Sequence, residues 1–140
     1  MALNFNEMLE AAVVAMKKES KMAELYQAFT GRGMRAMQVV FRGDMKYDSY
    51  IVLVDSKGDT AIKGLGSPYL EDVVIHLPLK VSEVEAEQAL ANAGYSTKWK
   101  TLTLRSPLYS VKYPPLYIYE IKNVGFVAVD STDASNVFLM

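Results

Sequence analysis

The spacing of apolar residues changes several times along this chain, and each change marks an element. Phe5, Met8, Leu9, Ala12, Val13 and Met16 recur at helical spacing, and Met22, Leu25, Tyr26 and Phe29 continue it. The pattern predicts a helix over residues 5–29. Asn4 and Glu7 form a capping box at its start, and Gly31 and Gly33 stop it. The polar run Lys17-Lys18-Glu19-Ser20-Lys21 interrupts the stripe, so a bend or break is expected there, with Ser20 able to cap a second segment. The pattern then shortens to the period of strands, over 35–42, 47–55 and 60–63, with Lys57-Gly58 as a hairpin turn. Leu70 to Leu77 is apolar and β-rich but ends at Pro78, which suits an edge or a crossover.

The helical period returns over 83–93, capped by Ser82 with Glu85 and stopped by Gly94. Ala86, Ala89, Leu90 and Ala93 make a narrow face fit for a sheet, while Glu83, Glu85, Glu87 and Gln88 suit the helix dipole and are expected in solvent. Trp99 to Arg105 alternates, with Leu102 and Leu104 on one side and Trp99, Thr101 and Thr103 on the other. Ser106 to Pro115 holds three of the five prolines and reads as an extended loop or edge. The strongest signal is 116–131, two strands joined by a tight turn at Asn123, Val124 and Gly125. Asn136 to Met140 adds a last short strand. Val-Asp-Ser occurs at 54–56 and again at 129–131, so segments 4–66 and 80–140 read as an internal repeat.

These elements predict one α+β domain over residues 1–140. Two helix–strand–strand–strand halves surround an antiparallel β-sheet, with the helices packed on one face. Composition agrees: 51% hydrophobic residues over 140 positions supply a sizeable core. A net charge of −1 argues against a general nucleic-acid binder. The chain has no cysteine, which excludes disulfides, zinc–thiolate sites and a Cys nucleophile. No apolar run is long enough to span a bilayer, and the N-terminus carries no secretory pattern. A cytoplasmic setting is therefore expected, or an extracytoplasmic one if a leader has been trimmed.

The second half brings a family into view. Residues 81–140 resemble a PepSY domain: an alanine-faced helix (Ser82 to Ala93), a Tyr117-Ile118-Tyr119 strand, and a final hairpin strand with Phe126-Val127-Ala128-Val129-Asp130. Residues 5–63 would be a more diverged copy, with Tyr50-Ile51-Val52-Leu53-Val54-Asp55 and then Gly58. The resemblance implies helix-plus-antiparallel-sheet modules without catalytic residues, usually outside the cytoplasm, that bind or restrain proteases and other partners. The second copy departs from the pattern in having Ser131-Thr132-Asp133 where a Gly is expected after the Asp. A cystatin-like helix-on-sheet fold fits the pattern almost as well.

No catalytic constellation stands out. His76 is the one histidine, and the sequence brings no nucleophile or carboxylate to it, so a structural role on an edge is expected. Asp55 with Asp59, and Asp130 with Asp133, lack the spacing of a calcium loop and are expected to bond the backbone of their own turns. Arg42-Gly43-Asp44 matches a cell-adhesion tripeptide, but a Gly-Asp turn between strands explains it. Lys17, Lys18, Lys21, Arg32 and Arg35 read as a solvated basic surface, and Met8, Met16 and Met22 as core filling.

Aromatic residues give the best functional lead. If the helices cover Leu102, Leu104, Leu116 and Ile118, then Trp99, Tyr117 and Tyr119 form an exposed platform, which Tyr109 and Tyr113 extend. The expected function is a non-enzymatic protein-binding module, an inhibitor or regulator, that contacts another protein or peptide through this face and the Pro/Tyr loop. No catalytic residue, metal, cofactor, nucleic acid or membrane insertion is expected. The alternative is a small-ligand binder or enzyme whose tyrosine hydroxyls, His76 and Arg105 converge on a pocket between helix and sheet. A homodimer burying the aromatic face against itself is a third option.

Overall fold

The computed structural model describes residues 2–67, 72–107 and 114–140. Helix α1 (Phe5–Glu19) opens with the expected capping box of Asn4 and Glu7. It buries Phe5, Met8, Leu9, Ala12 and Met16. Ser20 takes an extended conformation and ends the helix, so the predicted helix over 5–29 stops ten residues early. Residues Leu25–Gly31 form strand β1 instead. Leu25, Ala28 and Thr30 are buried while Phe29 is exposed. The apolar residues from 22 to 29 fit either period. Pairing with a strand on both sides decides the matter, because it gives partners to backbone groups that a frayed helix end would leave to water. Met22, expected on the core stripe, is 73% exposed as a result.

Strands β2 (Ala36–Arg42), β3 (Ser49–Asp55) and β4 (Thr60–Leu65) follow as a meander. Leu70 and Glu71 lie outside the described residues; among the described residues of the run before Pro78, only β5 (Asp72–Val73) is a strand, and it pairs with β6. Helix α2 (Glu83–Asn92) has the expected capping box of Ser82 and Glu85. Strands β6 (Thr101–Pro107), β7 (Leu116–Ile121), β8 (Gly125–Asp130) and β9 (Asp133–Leu139) complete the chain. The β7–β8 turn places Asn123 at φ +65° and Gly125 at φ +106°, a left-handed geometry that Asn and Gly tolerate best.

The strand order is β4-β3-β2-β1-β6-β7-β8-β9, with β5 beside β6, and every pairing is antiparallel. Each helix therefore precedes four meandering strands, one more than expected, and the two meanders join where β1 pairs with β6. Helix α1 lies over β2, β3 and β4, and α2 over β8 and β9, on the same face of the sheet.

Register decides which residues that face contains. Leu102 pairs with Tyr119 and Leu104 with Tyr117. Directly paired residues share a face, so the tyrosines lie with Leu102 and Leu104 under the helices. Leu116 and Ile118 occupy the other face with Ala128 and Phe138. A one-residue difference in assumed register exchanges the faces of a whole strand.

Candidate functional site

The register buries the aromatic residues singled out in the sequence. Tyr117 and Tyr119 are fully buried and Trp99 is 5% exposed. The expected exposed platform of Trp99, Tyr117 and Tyr119 is thus a core layer. Tyr119 packs against Trp99 with ring centroids 5.8 Å apart, and Phe5 of α1 meets Tyr117 edge-on at 5.9 Å. Tyr109 and Tyr113 lie outside the described residues.

The tyrosine hydroxyls reach a polar cluster where the N-termini of both helices meet β7. Tyr117 donates to the carbonyl of Val81 at 2.6 Å and accepts from Asn6 Nδ2 at 3.4 Å. Asn6 Oδ1 accepts from the backbone N–H of Glu83 at 2.8 Å. Tyr119 donates to Glu83 Oε2 at 2.9 Å. Glu83 is only 2% exposed, which corrects its expected place in solvent. Burial pushes its carboxyl up to about 7, and the neighbouring Glu87 adds to the rise, while the bond from Tyr119 opposes it. Burial likewise raises the Tyr117 phenol to about 12 and drives that of Tyr119 further up. The sequence did hold a signal for Glu83. It lies three residues before Ala86 and seven before Leu90, the other two buried positions of α2.

Among the described residues, no helix lies on the opposite face of the sheet. One row of directly paired residues crosses it: Ala61, Leu53, Gln38, Phe29, Thr103, Ile118, Ala128 and Phe138. Seven inter-strand steps make this row about 34 Å long. Leu53 is 52% exposed, Phe29 39% and Phe126, on the same face, 49%. Ile118 and Ala128 are buried in the small cluster with Leu116 and Phe138. Arg105 pairs with Gln27 and Leu116, so it too lies on this face. It is therefore on the far side of the sheet from the tyrosine hydroxyls, and His76 is exposed. The convergence of those groups on one helix–sheet pocket is not what the fold builds.

The remaining motifs serve turns. Asp44 Oδ1 accepts from the backbone N–H groups of Lys46 and Tyr47, and its Oδ2 accepts from Tyr50 Oη at 2.8 Å. The Tyr47 amide and the Tyr50 hydroxyl hold this carboxyl well below the usual carboxylate range. Arg42 reaches Glu24 at 3.5 Å. Asp44 of the Arg42-Gly43-Asp44 tripeptide is thereby committed to its own loop. Asp55 Oδ1 accepts from the N–H groups of Lys57 and Asp59, and Asp130 Oδ1 accepts from Thr132, as expected of strand-end aspartates. Among the described residues, no group of three or more His, Asp or Glu is placed to hold a metal ion, and no helix is long and apolar enough to cross a membrane.

No family model matches the chain, and no curated protein matches it. Among solved structures, the crystal structure of a putative lipoprotein from Clostridium difficile 630 is similar in fold. The TM-score is 0.62 at 18% sequence identity, with 91% of this chain and 89% of that chain covered. At this identity the likeness speaks for the fold alone, an α+β arrangement of helices on an antiparallel sheet.

Proposed function

We propose that this chain is a non-enzymatic protein-binding module that engages its partner through the helix-free face of the sheet. The observation that carries the reading is the cross-strand row with Leu53 and Phe29 exposed, flanked by Phe126. The face alternates apolar side chains with Gln38, Thr103 and Gln27, the mixture that protein contact surfaces use. Exposed large apolar residues gathered on one face of a monomer mark interaction sites more often than chance scatter does. The contact surface proposed here is the reverse of the Trp99, Tyr117 and Tyr119 side, which the helices occupy. The resemblance to PepSY modules, with a partner that is restrained or regulated, is part of the same proposal. So is an internal duplication, supported by the helix-plus-four-strand order of both halves and by Val-Asp-Ser at the end of the third strand in each.

The test is site-specific photo-crosslinking in the cells that make the protein. A benzophenone side chain replaces Phe29 or, on the exposed side of α1, Val14, which is 48% exposed. A discrete adduct is expected from position 29, absent from position 14, and lost when Leu53→Glu is added. Equal adducts at both positions, or none at position 29, would refute the proposal.

A further inference from the structure

We infer that Glu83 is a proton-operated latch between α2 and the sheet. Protonated, its carboxyl holds the start of α2 against β7; on losing the proton to water, it loosens that joint. The geometry is that of a joint between distant segments. Glu83 Oε2 takes the Tyr119 hydroxyl, 36 residues away in sequence, and the Glu83 backbone N–H is held by Asn6, 77 residues away. One residue thus ties α1, α2 and β7 together.

Burial and Glu87 favour the neutral form of Glu83, while the bond donated by Tyr119 favours the charged one. From α2 the facing titratable group is Glu87, one turn on, which adds to the rise of the Glu83 carboxyl. From β7 the titratable groups are Tyr119 and Tyr117, both held neutral far above physiological pH. From α1 it meets the uncharged Asn6. Among the described residues no Lys or Arg acts on it. A buried carboxylate without a cation is costly, and a second carboxylate one turn away adds repulsion. The N-terminal dipole of α2 offsets part of this but acts equally on Glu85, which stays in solvent. Water has a route to the group. Glu83 lines a groove of about 350 Å³ with Asn4, Met34, Glu87 and Gln88. The rise of its carboxyl to about 7 places the change within the physiological range.

The latch also has a built-in reporter. Trp99 is the single tryptophan, and it packs on Tyr119, whose hydroxyl bonds Glu83.

Three readouts on the intact chain test the inference. The Glu83 carboxyl carbon is titrated by NMR. Amide exchange over Val84–Leu90, corrected for intrinsic rates, is followed from pH 5.5 to 8.5. Trp99 fluorescence is recorded over the same range. The carboxyl is expected to bind its proton at least about tenfold more tightly than an ordinary glutamate. Amide protection should fall at least about tenfold with the same midpoint, and Trp99 fluorescence should follow it. Glu83→Gln, which keeps an acceptor for Tyr119 but cannot ionise, should hold both signals flat. A Glu83 carboxyl that titrates in the ordinary range would overturn the latch, as would pH profiles identical in wild type and Glu83→Gln. Should Glu83→Gln fail to fold, the wild type decides: amide protection over Val84–Leu90 that does not fall with the carboxyl's own midpoint would overturn the latch.

Discussion

Replacing Tyr117 by Phe removes one oxygen atom from the centre of this protein and tests what the polar cluster contributes. Tyr117 is fully buried, and its ring stays edge-on to Phe5 in the variant, so apolar burial hardly changes. What disappears is the donor to Val81 O, a short bond of 2.6 Å. Val81 is itself 5% exposed, so its carbonyl is left in a place that water reaches poorly. A buried acceptor stripped of its partner costs about 1–3 kcal/mol. The second bond, from Asn6 at 3.4 Å, is long, and Asn6 keeps its stronger bond to the Glu83 N–H. A loss of about 2 kcal/mol is therefore expected. For a chain of 140 residues the unfolding entropy is roughly 0.3 kcal/mol per degree, so the melting midpoint should fall by about 7 °C. Urea titrations followed by circular dichroism would show a lower midpoint with an unchanged slope. Tyr47→Phe is the control, since Tyr47 uses its ring against Tyr50 and is 36% exposed. If Tyr117→Phe loses less than about 0.5 kcal/mol, or no more than Tyr47→Phe, the Val81 bond does not hold α2 to the sheet and the reasoning fails.

Stability itself should depend on pH through Glu83. Its folded value lies above the ordinary one, so its contribution is whole below about 4.5 and is lost as pH rises towards 7, by roughly 3 kcal/mol at 1.36 kcal/mol per unit. Urea melts at pH 5 and pH 8 should show this loss in wild type and not in Glu83→Gln; parallel losses in both would contradict it. Asp44 has the opposite sign. Its carboxyl is held below the usual range, so Asp44→Ala should destabilise at pH 7, and the difference should vanish in strong acid, where the wild-type group is protonated. Gly64→Ala should cost about 1–3 kcal/mol, because a Cβ there runs into the Tyr47 ring that packs on Tyr50; a neutral result in thermal melts would mean the ring swings away freely. Trp99 emission should be blue-shifted and protected from iodide, and ready quenching would contradict its burial against Tyr119.

Much of the local structure is legible in the sequence because local chemistry decides it. Asn4 with Glu7 and Ser82 with Glu85 cap their helices within four residues of chain. The β7–β8 hairpin follows from apolar and β-branched runs on both sides of an Asn- and Gly-containing turn. Asp55 and Asp130 bond the amides two residues on, a contact that needs no distant partner. These features fix an α+β chain with antiparallel pairing.

What the sequence left open has a common physical cause: it depends on residues far away in the chain. Residues 25–29 satisfy both a helical and a strand period, and only pairing with β2 and β6 makes them a strand. Alternation in 99–105 and 116–121 showed two faces in each segment, but not which faces coincide. The pairing of Leu104 with Tyr117 settled that, and with it the burial of Trp99, Tyr117 and Tyr119 beneath the helices. Glu83 is the sharpest case. By type and position it suits the exposed first turn of a helix, and its rotation onto the sheet places it between Asn6 and Tyr119. The sequence alone determined both helix caps and the β7–β8 hairpin. Tertiary structure alone decided register, and so which side of the sheet the helices cover and which carboxyl is buried, because a single-residue shift reverses a strand's faces while leaving its pattern unchanged.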